Sequence, residues 1–109
     1  MEKTQAPYKI KAIEGTYAGA VFPLDREIIF GRNPGEASIV FPPDTPGISR
    51  RHCSIKIVSG GLVQIKDLGS SEGTYFADGT KLEPNIGYQI HRGECFYLAS
   101  KHEIYKTQK

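Results

Sequence analysis

Three short segments of this 109-residue chain hold its most chemically capable groups: Arg32 directly after Gly31, "GISRRH" at 47–52, and "DLGSSEGT" at 67–74. Arginine presents five donors in a rigid fork and never loses its charge, which suits phosphate or carboxylate. Ser49, Ser70 and Ser71 offer hydroxyls that can donate to the same oxyanion. Gly69 and Gly73 let backbone N–H groups crowd close to a ligand. Taken singly, a loop arginine is most often a solvated charge and a loop serine a turn former. It is their concentration in a few loops that suggests an anion site.

His52, three residues after Ser49, raises a different chemistry, a base serving a nucleophilic serine. A hydrolase also needs an orienting acid and an oxyanion hole, and no G-x-S-x-G elbow is present. His52 is therefore read as a brace between loops, no catalytic residue is assigned, and the chain is not expected to be an enzyme. Asp67 shares its parity with Val63 and Ile65, so it should point inward and require donors, and the N–H groups of "GSSEGT" are the nearest supply. That makes Asp67 an organiser of its loop. Cys53 and Cys95 stand far apart in no metal-ligand pattern, and each sits in an apolar alternation that reads as a buried thiol. Neither a metal nor a cofactor is expected.

Loops of this kind need stiff elements to hold them. Helical periodicity is nearly absent, and short β-runs alternate with Gly, Pro, Asp and Ser clusters. The runs are "YKIKAIE", whose phase breaks at Ile13, then "GAVFPL", "EIIFG", "SIVF", "HCSIKIV", "LVQIKDL" and "TYF". The weaker "TKLE" and "YQIHRG" follow, and "CFYLA" and "HEIYK" close the series. Parity along "HCSIKI" turns Cys53, Ile55 and Ile57 inward and His52, Ser54 and Lys56 to the other face. "SGGL" at 59–62 and "ADGT" at 77–80 have the composition of hairpin turns. So many strands in so few residues predict an all-β antiparallel sandwich or barrel. The expectation is one domain over 8–106, with a flexible stretch at 1–7 and a C-terminal tail at 107–109.

A net charge of +2 offers no extended basic face to neutralise many phosphates, so no nucleic-acid partner is expected. No apolar run approaches the roughly 18 residues that span a bilayer, so no membrane partner is expected either. The opening "MEKTQAPYKIK" lacks the apolar core of a secretion signal, which sets the cytoplasm as the expected location.

In order and spacing, "FGR" at 30–32, "SRRH" at 49–52 and "DLGSSEGT" at 67–74, followed by "DG" and Leu82, resemble the forkhead-associated (FHA) domain over residues 8–106. The resemblance implies a β-sandwich of two sheets with about eleven strands, whose loops at one end bind phosphothreonine in partner proteins. By position it implies that Arg32 and Ser49 grip the phosphate and that Ser71 donates from the next loop. Arg50 would add charge or touch the peptide backbone. Gly31, His52, Gly73 and Thr74 would be architectural, and Arg51 takes no direct role. The implied partner is a phosphothreonine-containing protein, either a substrate of a Ser/Thr kinase or the kinase itself, met by a monomer.

One position departs from the family pattern. Glu72 stands where an asparagine is usual in Ser-x-Asn-Gly-Thr. An asparagine amide donates and accepts, whereas an ionised glutamate only accepts and sets a negative charge near the expected dianion. By position Glu72 still belongs with the phosphopeptide-binding residues, where it would call for a Lys or Arg in the ligand. An FHA scaffold with weak or phosphate-independent binding is the alternative this residue raises. A milder departure is "YFADG", one residue longer than the usual turn.

Overall fold

The computed structural model describes residues 8–109. Ten strands form two five-stranded sheets packed face to face. In chain order they are β1 (Lys9–Glu14), β2 (Val21–Pro23), β3 (Ile28–Gly31), β4 (Ile39–Val40), β5 (Cys53–Val58), β6 (Leu62–Asp67), β7 (Thr74–Phe76), β8 (Tyr88–Ile90), β9 (Cys95–Leu98) and β10 (Ile104–Gln108). One sheet runs β2-β1-β10-β9-β7 and the other β4-β3-β5-β6-β8. Of the sandwich or barrel that the alternation predicts, the sandwich is observed, with the two sheets that the family resemblance implies and one pair, β3 and β4, parallel.

Alternation places one set of each strand's side chains in the shared core. Ile10 and Ala12 of β1, Phe30 of β3, Ile55 of β5, Val63 and Ile65 of β6, Phe96 and Leu98 of β9 and Tyr105 of β10 are all buried. Phe30 spans the two sheets, its ring centroid 4.9 Å from Tyr105 and 5.9 Å from Phe96, both edge to face. A buried aromatic of this kind contributes roughly 1.5–3 kcal/mol by leaving water. Phe30 thereby fixes the strand end from which Gly31 and Arg32 emerge.

Several expectations are corrected. "TKLE" is no strand: Lys81 makes only an isolated bridge to Tyr75, because the chain then turns at Pro84 to bridge Asp67. The phase break at Ile13 is a bulge in the β1–β10 pairing, which leaves Ile13 exposed. The tail expected at 107–109 is strand through Gln108. Thr107 pairs with Ile10 and is fully buried, so the last strand outlasts the 106 boundary. Cys53 is buried, but Phe96 and Leu98 claim the inner face of β9 and leave Cys95 only partly covered. Ser54, expected on the face opposite Cys53 and Ile55, is buried as well, since the other side of β5 is also covered there. The flexibility expected of residues 1–7 lies outside the described residues. Among the described residues no helix is long and apolar enough to cross a membrane.

Candidate functional site

The end of the sandwich where β3 and β6 finish and β5 and β7 begin gathers the three loops. Gly31 is the contact point between two of them. A Cβ there would lie 1.9 Å from the Arg50 carbonyl oxygen, so only glycine lets β3 pass under the 49–51 segment. The same approach pairs the Arg32 N–H with the Ser49 carbonyl at 3.1 Å and the Asn33 N–H with the Arg50 carbonyl at 3.2 Å. Arg32 then extends its guanidinium along the 43–48 segment. Its Nε donates to the Ile48 carbonyl and its Nη1 to the Pro43 carbonyl at 2.8 Å, and Nη2 has no partner among the described residues.

His52 is fully buried between the second and third loops. Its Nδ1 accepts the Ser49 backbone N–H at 3.1 Å, which leaves the ring proton on Nε2 to donate to the Gly73 carbonyl at 2.8 Å. Burial pushes the imidazole below its ordinary pKa, opposed by the Gly73 carbonyl and by the charges of Asp67 and Glu72. With both nitrogens committed, the ring has none left to take a proton from the Ser49 hydroxyl.

Asp67 organises the third loop from inside. Its Oδ2 accepts the N–H groups of Gly69 and Ser70, each at 3.0 Å. Its Oδ1 accepts the Ser70 hydroxyl at 2.6 Å and the buried Thr74 hydroxyl at 2.7 Å. The Ser70 oxygen in turn accepts the Gly73 N–H at 2.9 Å, so Ser70 is turned inward. Gly73 has a φ of +90°, and a Cβ on it would meet Lys81 Cε at 2.8 Å and the Tyr75 hydroxyl at 3.0 Å.

Bent in this way, the loop turns Ser71 outward onto Ser49. The Ser71 N–H donates to Ser49 Oγ at 3.1 Å, and the two hydroxyl oxygens lie 3.4 Å apart. Glu72 follows, exposed, with its carbonyl accepting the Tyr75 hydroxyl at 2.9 Å. Arg50 is exposed, while Arg51 pairs with Glu36 at 3.1 Å. The structure thus brings Ser49, His52, Asp67, Ser71, Gly73 and Thr74 into one bonded unit. It directs the Arg32 fork to backbone carbonyls and not to the two hydroxyls. Sequence reasoning missed the Pro43 and Ile48 carbonyls, which carry no side-chain signal, and Tyr75, which stacks on Tyr97 at 4.9 Å on the outer face. Among the described residues no cluster of His, Cys, Asp or Glu is disposed to hold a metal. A groove of about 520 Å³, lined by Phe76, Asp78, His91 and Glu94 among others, opens at the opposite end, away from these loops.

The sequence profile of the FHA domain matches residues 28–99, from the first residue of β3 to just beyond β9. The FHA domain of the CT664 protein from Chlamydia trachomatis superposes with a TM-score of 0.79 at 28% identity, covering 94% of this chain and 96% of that one. The FHA domain of an Arabidopsis thaliana hypothetical protein gives 0.79 at 22% identity over 99% and 92% of the two chains. The MEK1 FHA domain in complex with a HOP1 phosphothreonine peptide gives 0.75 at 23% identity over 94% and 96%. No curated protein matches the chain. The order of the three loop motifs, the two five-stranded sheets that carry them and the matching profile agree: this chain belongs to the FHA domain family.

Proposed function

We propose that this chain is a non-catalytic module that reads phosphothreonine-containing segments of partner proteins. The observation that carries the reading is the Ser49–Ser71 pair: two hydroxyls from loops 22 residues apart in sequence, set 3.4 Å from one another at the open end of a rigid sandwich. A phosphate brings about two negative charges and three acceptor oxygens. Ser49 and Ser71 supply directional donors, the free Nη2 of Arg32 supplies charge, and Arg50 adds a second cation at the rim. Charge-assisted hydrogen bonds are worth about 1.5–3 kcal/mol each, so three or four account for a micromolar affinity of roughly 8 kcal/mol. The structural likeness to an FHA domain bound to a phosphothreonine peptide supports the same reading. The partner class is a kinase substrate or the Ser/Thr kinase itself, met by a monomer in the cytoplasm.

Calorimetric titration with a phosphothreonine peptide, its phosphoserine analogue and its unphosphorylated form tests the proposal. Arg32→Ala is expected to weaken phosphopeptide binding at least tenfold, on the order of one lost charge-assisted bond. It should also cost about 1 kcal/mol of stability, because the Pro43 and Ile48 carbonyls lose their donor. A variant that binds as tightly as the parent overturns the assigned phosphate site. The second reading, a phosphate-independent FHA scaffold, is favoured by the commitment of the Arg32 fork to those carbonyls and by the charge of Glu72. Partner capture that survives phosphatase treatment would select it.

A further inference from the structure

Two acidic groups near the site already have partners. Asp67 is buried under four donors, and Glu36 is paired with Arg51 at 3.1 Å. Glu72 is different. It is exposed and adjoins Ser71, and among the described residues its carboxylate makes no ion pair. Lys81 passes beside Gly73, yet it forms no ion pair with Glu72.

The position of Glu72 is nonetheless fixed. The Ser71 N–H is tied to Ser49 Oγ on one side, and the Tyr75 hydroxyl holds the Glu72 carbonyl on the other. Its stem lies over the second loop, since a methyl placed on Gly47 would sit 3.6 Å from Glu72 Cγ. Its charge is felt at the buried ring of His52. Backbone and stem thus place Glu72 at the seam of the two loops that present Ser49 and Ser71, with its carboxylate exposed there. Asp44, exposed next to Pro43, adds a further negative charge on the 43–48 segment, and among the described residues it makes no ion pair.

A bound phosphothreonine dianion would face this carboxylate, and like charges at partly exposed separations repel measurably. The repulsion is relieved when the ligand brings its own cation. We infer that Glu72 is the specificity-determining residue of this module, selecting phosphothreonine segments that carry lysine or arginine beside the phosphothreonine and rejecting those with acidic flanks. The inference rests on the phosphothreonine reading. A lysine or arginine close to the phosphate can donate to the Glu72 carboxylate, supplying the donor that a glutamate itself lacks. Acidic flanks would add a third charge to the two already opposed.

Three phosphothreonine peptides, identical except for Lys, Ala or Glu at the positions flanking the phosphothreonine, and their unphosphorylated forms, test this by fluorescence anisotropy. The parent should bind the Lys peptide about tenfold tighter than the Glu peptide, a ratio that shrinks with added salt. Glu72→Gln should compress the ratio several-fold by tightening the Glu peptide, and Glu72→Lys should reverse it. A ratio unchanged by both substitutions, with phosphate dependence retained, overturns the role of Glu72 and leaves the phosphothreonine reading intact. Binding of phosphorylated and unphosphorylated peptides alike, still ranked by flank and reversed by Glu72→Lys, sustains the charge selection and overturns the phosphate reading. Failure of every peptide to bind overturns both.

Discussion

At one end of the sandwich the 67–74 loop is filled by its own side chains, with Asp67, Ser70, Thr74 and the neighbouring His52 bonding nearly every inward polar group. At the other end, the Ser59–Gly61 turn joins β5 to β6 with no side-chain hydrogen bond at its start and no buried residue. Both regions are rich in serine and glycine, yet those residues serve different ends. A Cβ on Gly60 or Gly61 meets nothing within 4 Å, while one on Gly31 would strike a backbone carbonyl at 1.9 Å. The glycines of the far turn only reverse the chain, whereas Gly31 permits two loops to touch. Rigidity here is local, and it is concentrated where the Ser49 and Ser71 hydroxyls lie together.

Removing the internal acceptor is the most severe way to break that contrast. Asp67→Ala would strand the buried Thr74 hydroxyl and the N–H groups of Gly69 and Ser70 together. The expected loss is about 3–5 kcal/mol in urea denaturation, at the upper end for single substitutions. The next largest effect separates the two kinds of glycine. Gly31→Ala should cost about 2–3 kcal/mol, because the clash is with backbone that cannot rotate away. Gly60→Ala, at a φ of +80°, should cost about 1 kcal/mol from conformation alone and leave ligand binding as it was. Equal losses at the two positions would erase the distinction.

Much of this architecture was legible in the sequence where side chains speak. The alternation in "CSIKI" and "VQIKD" marks β5 and β6, and the inward parity of Asp67 beside Ser70, Ser71 and Thr74 anticipates a carboxylate in need of donors. The parallel pairing of β4 was not legible, because it joins a two-residue strand to β3 through backbone bonds that leave no compositional trace. Nor were the carbonyls that engage Arg32, for the same reason. "TKLE" misled through its alternation: Leu82 is buried and its N–H reaches the Thr74 carbonyl, but the proline two residues on ends any ladder. The inward alternation around Cys95 fails because its neighbours Phe96 and Leu98 fill the core with more apolar surface.

The mildest perturbation needs no substitution. His52 is neutral in the folded chain, with its pKa lowered chiefly by burial, so the unfolded state binds its proton more readily. Stability therefore rises with pH through this window. It is complete above the ordinary histidine value of about 6.5 and declines as pH falls from there through the folded-state value. Protonation of Nδ1 would also set an N–H against the Ser49 N–H, opening the seam that carries the hydroxyl pair. One proton limits the slope to about 1.4 kcal/mol for each pH unit. Binding is a poor readout, since the second phosphate ionisation falls near pH 6 as well. The ligand-free protein should be unfolded in urea from pH 5 to 8 beside His52→Ala, which is expected to be less stable throughout but by a margin that narrows in acid. A margin constant across that range would mean that the ring is no neutral, buried brace and that the two ends of the sandwich differ less than their hydrogen bonds indicate.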